Sequence, residues 1–181
     1  MDGWQIGANT VGDMARITLF RHGKAETPSL QKADIDRLLT TRGTANAKRM
    51  GQFIAAQKML PDRILVSQAL RTRQTYELAS EDWPDIPVTI IDEIYEANTS
   101  ILLSIVAEHA GDDENVMIIG HNPGLVVLLN HMVGSSHTDG NLSYFPTSCV
   151  ADIGFEAPKL RDINVDDGRL LSIIRVRDLS N

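Results

Sequence analysis

The stretch that decides the fold is Arg16-Ile17-Thr18-Leu19-Phe20, followed directly by Arg21-His22-Gly23. Its β-branched and aromatic residues predict a strand, and the glycine after two polar residues predicts a turn at the end of that strand. Ligands of open parallel sheets bind beyond the carboxyl ends of the strands. An arginine and a histidine at this position therefore indicate a binding or catalytic site.

Strands and helices alternate along the rest of the chain. Further strands are predicted at 63–66, 88–91, 115–119, 148–155 and 170–176. Helices are predicted at 44–59, at 70–79, after a cap at Thr99 or Ser100, and from Pro123 to about Val133. The last of these is apolar almost all round, so we expect it to be sandwiched in the core. The alternation predicts an α/β fold of three layers (α/β/α), with a mostly parallel central sheet and helices on both faces. We expect a single domain at 15–181 after a loose leader at 1–14.

Composition excludes several classes of protein. The 181 residues contain 17 basic and 24 acidic side chains and a single cysteine. One cysteine cannot form an internal disulfide, which argues against a secreted disulfide scaffold. The net charge of −7 argues against nucleic-acid and membrane partners. The first residues lack the basic and apolar regions of a signal peptide, so we expect a cytoplasmic protein.

Two histidines and two arginines are predicted to meet at one edge of the sheet. Arg21 and His22 follow the first strand, Arg71 follows the second, and His121 follows the fourth. A neutral imidazole can accept a phosphoryl group, and two guanidinium groups match the oxygens of a phosphate. The set indicates phosphoryl transfer. It includes no spacing typical of a metal site, and we expect neither a metal nor another cofactor.

Four blocks, in order, resemble the histidine phosphatase superfamily, which has the phosphoglycerate mutase-like fold. They are Arg21-His22-Gly23-Lys24-Ala25-Glu26, Leu39-Thr40-Thr41-Arg42-Gly43, Ser67 with Leu70-Arg71 and Gln74-Thr75, and Gly120-His121. The small phosphohistidine phosphatases of the SixA type are the most similar members. The resemblance runs from about Arg16 to the final strand.

The resemblance implies a role for each site residue. His22 is expected to be the nucleophile, Arg21 and Arg71 to hold the phosphate, and His121, protonated, to bind the transferring group. Arg73 is the alternative to Arg71. Glu96, with Glu93 as its rival, is the candidate proton donor for the leaving group. The residues expected to contact the substrate are Gly23, Lys24, Ser67 and Asn122.

The length of one segment favours a particular substrate. About fifty residues separate Arg71 from His121, too few for the inserted subdomain that covers the site in larger members of the superfamily. An open site suits phosphohistidine on a signalling protein, with inorganic phosphate as the product. The alternatives are a small phosphate ester as substrate, which would make the protein a general phosphomonoesterase, and a non-catalytic phosphate-binding module.

Overall fold

Six strands form one sheet in the order β3-β2-β4-β1-β5-β6 in the computed structural model, which describes residues 14–134, 142 and 144–179. The strands are β1 (Ala15–Arg21), β2 (Arg63–Ser67), β3 (Val88–Ile91), β4 (Asn115–Gly120), β5 (Val150–Phe155) and β6 (Arg169–Ile174). Strands β1 to β4 run parallel, β5 pairs antiparallel with β1, and β6 pairs antiparallel with β5. The prediction of a mostly parallel sheet is confirmed. The predicted leader lies outside the described residues except for Met14.

Four helices cover the two faces of the sheet. They are α1 (Thr41–Ala56), α2 (Leu70–Ala79), α3 (Thr99–Ala110) and α4 (Gly124–Val133). Alternate residues of β4 enter different cores: Ile118 packs with α3 and α4, and Ile119 packs with α1 and α2. This period of two, apolar on both faces, is typical of a central parallel strand. The predicted three-layer α/β/α fold is therefore confirmed.

Two helices begin at other residues than the sequence pattern predicted. Helix α1 starts three residues early, at Thr41, because the hydroxyl of Thr40 accepts a hydrogen bond from the Gly43 amide at 3.1 Å. The cap of α3 is Asn98, whose side chain accepts from the Ile101 amide at 3.0 Å. Thr99, one of the two predicted caps, is the first residue of that helix.

Helix α4 was predicted to be buried on all sides, but one side of it is exposed. Leu125, Leu128 and Leu129 are buried, but Val127 is 52% exposed. A helix against one face of a sheet turns only part of its circumference to the core, so apolar residues on the other side remain in contact with solvent. Val127 is such a residue, and it lines the cavity described below.

The topology brings three strand ends together at one edge of the sheet. Strand β4 lies between β1 and β2, with Arg21 paired to Gly120 and Val66 paired to Ile119. The segments that follow β1, β2 and β4 therefore start side by side. In the described part of the chain, no helix is long and apolar enough to cross a membrane.

Candidate active site

His22 lies just beyond β1 with one ring nitrogen already engaged. Its Nδ1 is 2.7 Å from the carbonyl oxygen of Gly23. A carbonyl can only accept, so Nδ1 carries the proton and Nε2 keeps its lone pair. The Gly23 amide in turn donates to Thr75 Oγ1 at 2.9 Å, which holds the turn in place. The imidazole is therefore held in one orientation, with an unprotonated Nε2 of the kind that a nucleophile needs.

Burial keeps His22 neutral. Its pKa is lowered to about 4, chiefly by desolvation and further by the positive charges of Arg71 and Arg21. The hydrogen bond to Gly23 acts in the opposite direction but does not offset the burial. The ring is therefore unprotonated at neutral pH, as attack on phosphorus requires.

His121 is the second imidazole of the site. Its ring centroid is 5.1 Å from that of His22, and its Nε2 lies 2.9 Å from Ser67 Oγ. Desolvation, followed by the interactions with His22 and Arg71, lowers its pKa to about 3. In the protein without phosphate, burial and the neighbouring positive charges therefore disfavour protonation of His121. The expectation of a protonated His121 with a phosphoryl group bound stays a prediction.

Arg21 and Arg71 flank the two imidazoles. Arg21 donates from Nη1 to the Phe145 carbonyl oxygen at 2.8 Å, and Arg71 donates from both Nη atoms to Asp34. Among the described residues, Arg21 Nε, Arg71 Nε and His121 Nδ1 are buried polar atoms without a hydrogen-bond partner. Unpaired buried donors cost about 1–3 kcal/mol each, so this cluster favours the arrival of a group rich in acceptors.

The structure separates Arg71 from its alternative, Arg73. Arg71 is buried and lines the cavity that contains both histidines. Arg73 is exposed and is not part of the lining. Residues two apart on a helix point in different directions, which is why only one of them faces the site.

The cavity has a volume of about 810 Å³ and contains most of the predicted residues. Lys24, Glu96 and Asn122 line it, and Glu96 has a positive φ of 57°. Gly23 and Ser67, which were predicted to contact the substrate, are not among the residues that line it. The backbone of Gly23 holds the His22 ring, and Ser67, fully buried, holds that of His121. Both residues support an imidazole instead of reaching the cavity.

Three further residues at the site were not predicted from the sequence: Asp34, Arg37 and Tyr95. All three line the cavity, and Asp34 joins the other two to Arg71. Asp34 and Arg37 come from the irregular segment between β1 and α1, where no periodicity indicates which side chains turn inward. Tyr95 directly precedes Glu96, and an aromatic residue in a loop does not by itself indicate a functional role.

The fold and the paired imidazoles at the carboxyl edge of the sheet define a phosphoglycerate mutase-like α/β protein. A model of the histidine phosphatase superfamily (branch 1) matches residues 17–102. A crystal structure from Agrobacterium tumefaciens, described provisionally as the phosphohistidine phosphatase SixA, is 31% identical with a TM-score of 0.76. The similarity covers 89% of this chain and 97% of that one. The chain therefore belongs to the histidine phosphatase superfamily.

Two curated relatives extend the comparison. The phosphohistidine phosphatase SixA of Escherichia coli is 26% identical over 142 residues, which cover 76% of this chain and 84% of SixA. An uncharacterised chloroplastic protein of Arabidopsis thaliana is 28% identical over 131 residues. That match covers 67% of this chain and 60% of the plant protein. The similarity to SixA supports phosphatase activity.

Proposed function

We propose that this protein is a phosphohistidine phosphatase that forms a transient phosphohistidine on His22. The observation that carries the proposal is the state of the His22 ring. Nδ1 donates to the Gly23 carbonyl oxygen, and the pKa is lowered to about 4. Nε2 is thereby a lone-pair donor at neutral pH, held in one orientation.

In the first step, Nε2 of His22 attacks phosphorus as the bond from phosphorus to the leaving nitrogen breaks. The phosphoryl group passes in line to His22, and the leaving imidazole takes up a proton. Arg21 and Arg71 balance the charge of the phosphoryl oxygens through their guanidinium groups. This step needs no acid or cation other than protein groups and water.

His121 can bind the phosphoryl group without being protonated. If Ser67 donates its hydroxyl proton to Nε2, the ring proton resides on Nδ1, which has no partner among the residues described. Nδ1 then donates to a phosphoryl oxygen. Bound phosphate would also raise the pKa of this imidazole, since an opposite charge favours the cation.

In the second step, water attacks the phosphorus bound to His22. The bond from phosphorus to Nε2 breaks, the water loses a proton, and inorganic phosphate leaves. His22 returns to its neutral form with the proton still on Nδ1. The two displacements replace one difficult reaction with two easier ones.

Glu96 is our proposed proton donor for substrates whose leaving group is poor. Glu96 lines the cavity and has a positive φ. An imidazole leaving group is protonated easily, so the reaction of a phosphohistidine depends little on such an acid. The dependence on Glu96 should therefore differ between substrate classes.

Phosphohistidine on a protein is the substrate class that the site supports best. Between Arg71 and His121 the chain forms the rest of α2, then β3, α3 and β4, with no room for a covering subdomain. The similarity to the SixA proteins points to the same class. A phosphorylated side chain on a folded partner needs an open approach of this kind.

A substrate panel tests the proposal. The purified chain is incubated with a phosphohistidine-bearing protein, phosphoserine and phosphotyrosine peptides, and sugar phosphates. We expect the highest kcat/KM for the phosphohistidine protein. A preference for the sugar phosphates would instead identify a small-molecule phosphomonoesterase, and phosphate binding without any turnover would identify a binding module.

A further inference from the structure

The carboxylate of Asp34 stands beside Arg71 in the cavity. Asp34 belongs to a short 3-10 helix, Asp34–Asp36, in the segment that connects β1 to α1. Its backbone oxygen accepts from Arg71 Nη1 at 2.6 Å, and its Oδ2 accepts from Arg71 Nη2 at 2.9 Å. Two acceptors on two Nη atoms determine the plane of the guanidinium group as well as its position.

The same carboxylate is connected to the second imidazole through Tyr95. The Tyr95 hydroxyl donates to Asp34 Oδ2 at 2.9 Å. The tyrosine ring meets the His121 ring edge to face, with centroids 5.5 Å apart, and Arg71 lies over it at 5.7 Å. Arg71 and His121, which come from different elements, thus both contact the ring of Tyr95, and Tyr95 is hydrogen-bonded to Asp34.

Asp34 is itself held by the loop that carries it. Its Oδ1 accepts from Arg37 Nε at 2.7 Å, and Arg37 also donates to the Glu26 carbonyl oxygen at 2.6 Å. Burial alone would raise the pKa of Asp34, but the Tyr95 hydroxyl and the charges of Arg71 and Arg37 outweigh it and lower the pKa. Asp34 is therefore ionised at neutral pH and unsuited to act as a proton donor.

We propose that Asp34 is a positioning residue that holds Arg71 and, through Tyr95, His121 in the geometry that binds the phosphoryl group. The inference rests on the proposed function, since it concerns the same phosphate. A guanidinium has five N–H donors, and Asp34 takes only two of those of Arg71. Arg71 can therefore bind an oxyanion while Asp34 stays in place.

The opposite hypothesis treats Asp34 as a competitor that occupies Arg71 and must leave before phosphate binds. The two hypotheses predict effects of opposite sign when the carboxylate is removed. Positioning predicts weaker phosphate binding, because Arg71 loses its orientation. Competition predicts tighter binding, because a negative charge has been removed from the neighbourhood of an anion.

The test uses Asp34→Ala and Asp34→Asn, with Asp36→Ala as the matched control. Asp36 lies in the same short helix and is exposed, and its carboxylate forms no hydrogen bond or ion pair with the described residues. All three variants remove the same charge. Inorganic phosphate affinity is measured by calorimetry, kcat and KM are measured with p-nitrophenyl phosphate, and thermal unfolding confirms that each variant is folded.

We expect Asp34→Ala to weaken phosphate affinity and to raise KM by about tenfold, with a smaller change in kcat. Asp34→Asn keeps an acceptor oxygen and should fall between the wild type and the alanine variant. Asp36→Ala should stay within about twofold of the wild type. If Asp34→Ala does not fold, the Asp34→Asn variant, which preserves the side-chain volume, distinguishes the two hypotheses. Weaker phosphate affinity supports positioning, and tighter affinity supports competition.

Phosphate affinity that is unchanged or tighter in the Asp34 variants overturns the inference while leaving the proposed function intact. An equal loss in Asp36→Ala also overturns it, since net charge alone would then explain the effect. A wild-type chain that neither binds phosphate nor hydrolyses any substrate would overturn the proposed function, and the positioning role with it.

Discussion

The imidazole rings of His22 and His121 lie 5.1 Å apart, centroid to centroid, and are tilted by 55°. The two residues follow neighbouring parallel strands, β1 and β4, whose last residues pair in register. The distance leaves room for a phosphoryl group to contact both rings. At this distance His22 also opposes protonation of His121 and, after desolvation, contributes to the lowered pKa of His121.

Replacing His22 with alanine should abolish turnover. The substitution removes the nitrogen that we propose as the nucleophile, so we expect kcat to fall by more than about a thousandfold. The readout is steady-state hydrolysis together with acid-labile labelling of the enzyme by a radioactive phosphoryl donor. The label should be present in the wild type and absent from the variant. Wild-type-like activity in a folded variant would remove His22 as the nucleophile.

Replacing Arg71 with lysine should lower kcat/KM by roughly 10- to 100-fold, because an ammonium group cannot reproduce a planar pair of donors. Arg73→Lys is the matched control on the same helix. Its side chain is exposed, and we expect a change of no more than about twofold. The kcat/KM values of the two variants are measured in parallel with the same substrate. A larger loss in the Arg73 variant would exchange the two assignments.

The activity should persist well into the acid range. The reactive form of His22 is neutral and its pKa is about 4, so protonation should reduce kcat/KM only as the pH falls through that value. Nuclear magnetic resonance of the histidine rings checks this titration without interference from the ionisation of a phosphate substrate. A midpoint near 6.5, the ordinary value, would show that the site does not desolvate the ring.

Replacing Ser67 with alanine should reduce kcat/KM by about five- to tenfold, since His121 loses the hydrogen bond that orients its ring. Ser104→Ala is the control, because the exposed Ser104 hydroxyl donates within α3, to the Ser100 carbonyl oxygen at 3.0 Å. Kinetics and thermal unfolding are compared for both variants. Equal activity in the two would separate Ser67 from the function of His121.

Glu96→Gln should slow the hydrolysis of alkyl phosphates by at least about tenfold and leave p-nitrophenyl phosphate nearly unaffected. An alkoxide needs a proton as it leaves, whereas p-nitrophenolate does not. Glu93→Gln, at the rival position, provides the control. Rates for the two esters are compared across the three proteins. A selective loss in the Glu93 variant, or equal losses for both esters, would contradict the proposed role of Glu96.

Helix α2 explains why one part of the site was difficult to interpret from the sequence. Its apolar residues form no clear stripe, and the buried side consists of Arg71, Thr72, Thr75 and Ala79. The polar members have structural partners: Thr75 supports Gly23 and Arg71 contacts Asp34. A buried face that serves a site has no hydrophobic period, so periodicity could locate the helix only weakly.

The sequence alone determined the strands, their alternation with helices and the polar turns at the ends of β1, β2 and β4. These features follow from local causes, namely side-chain period, β-branching and turn residues. Tertiary structure alone decided that Arg71 and not Arg73 faces the cavity, that Ser67 supports His121, and that Asp34 holds Arg71. Those contacts join segments distant in the chain, and they depend on how an irregular loop and a helix face pack together, which no local pattern encodes.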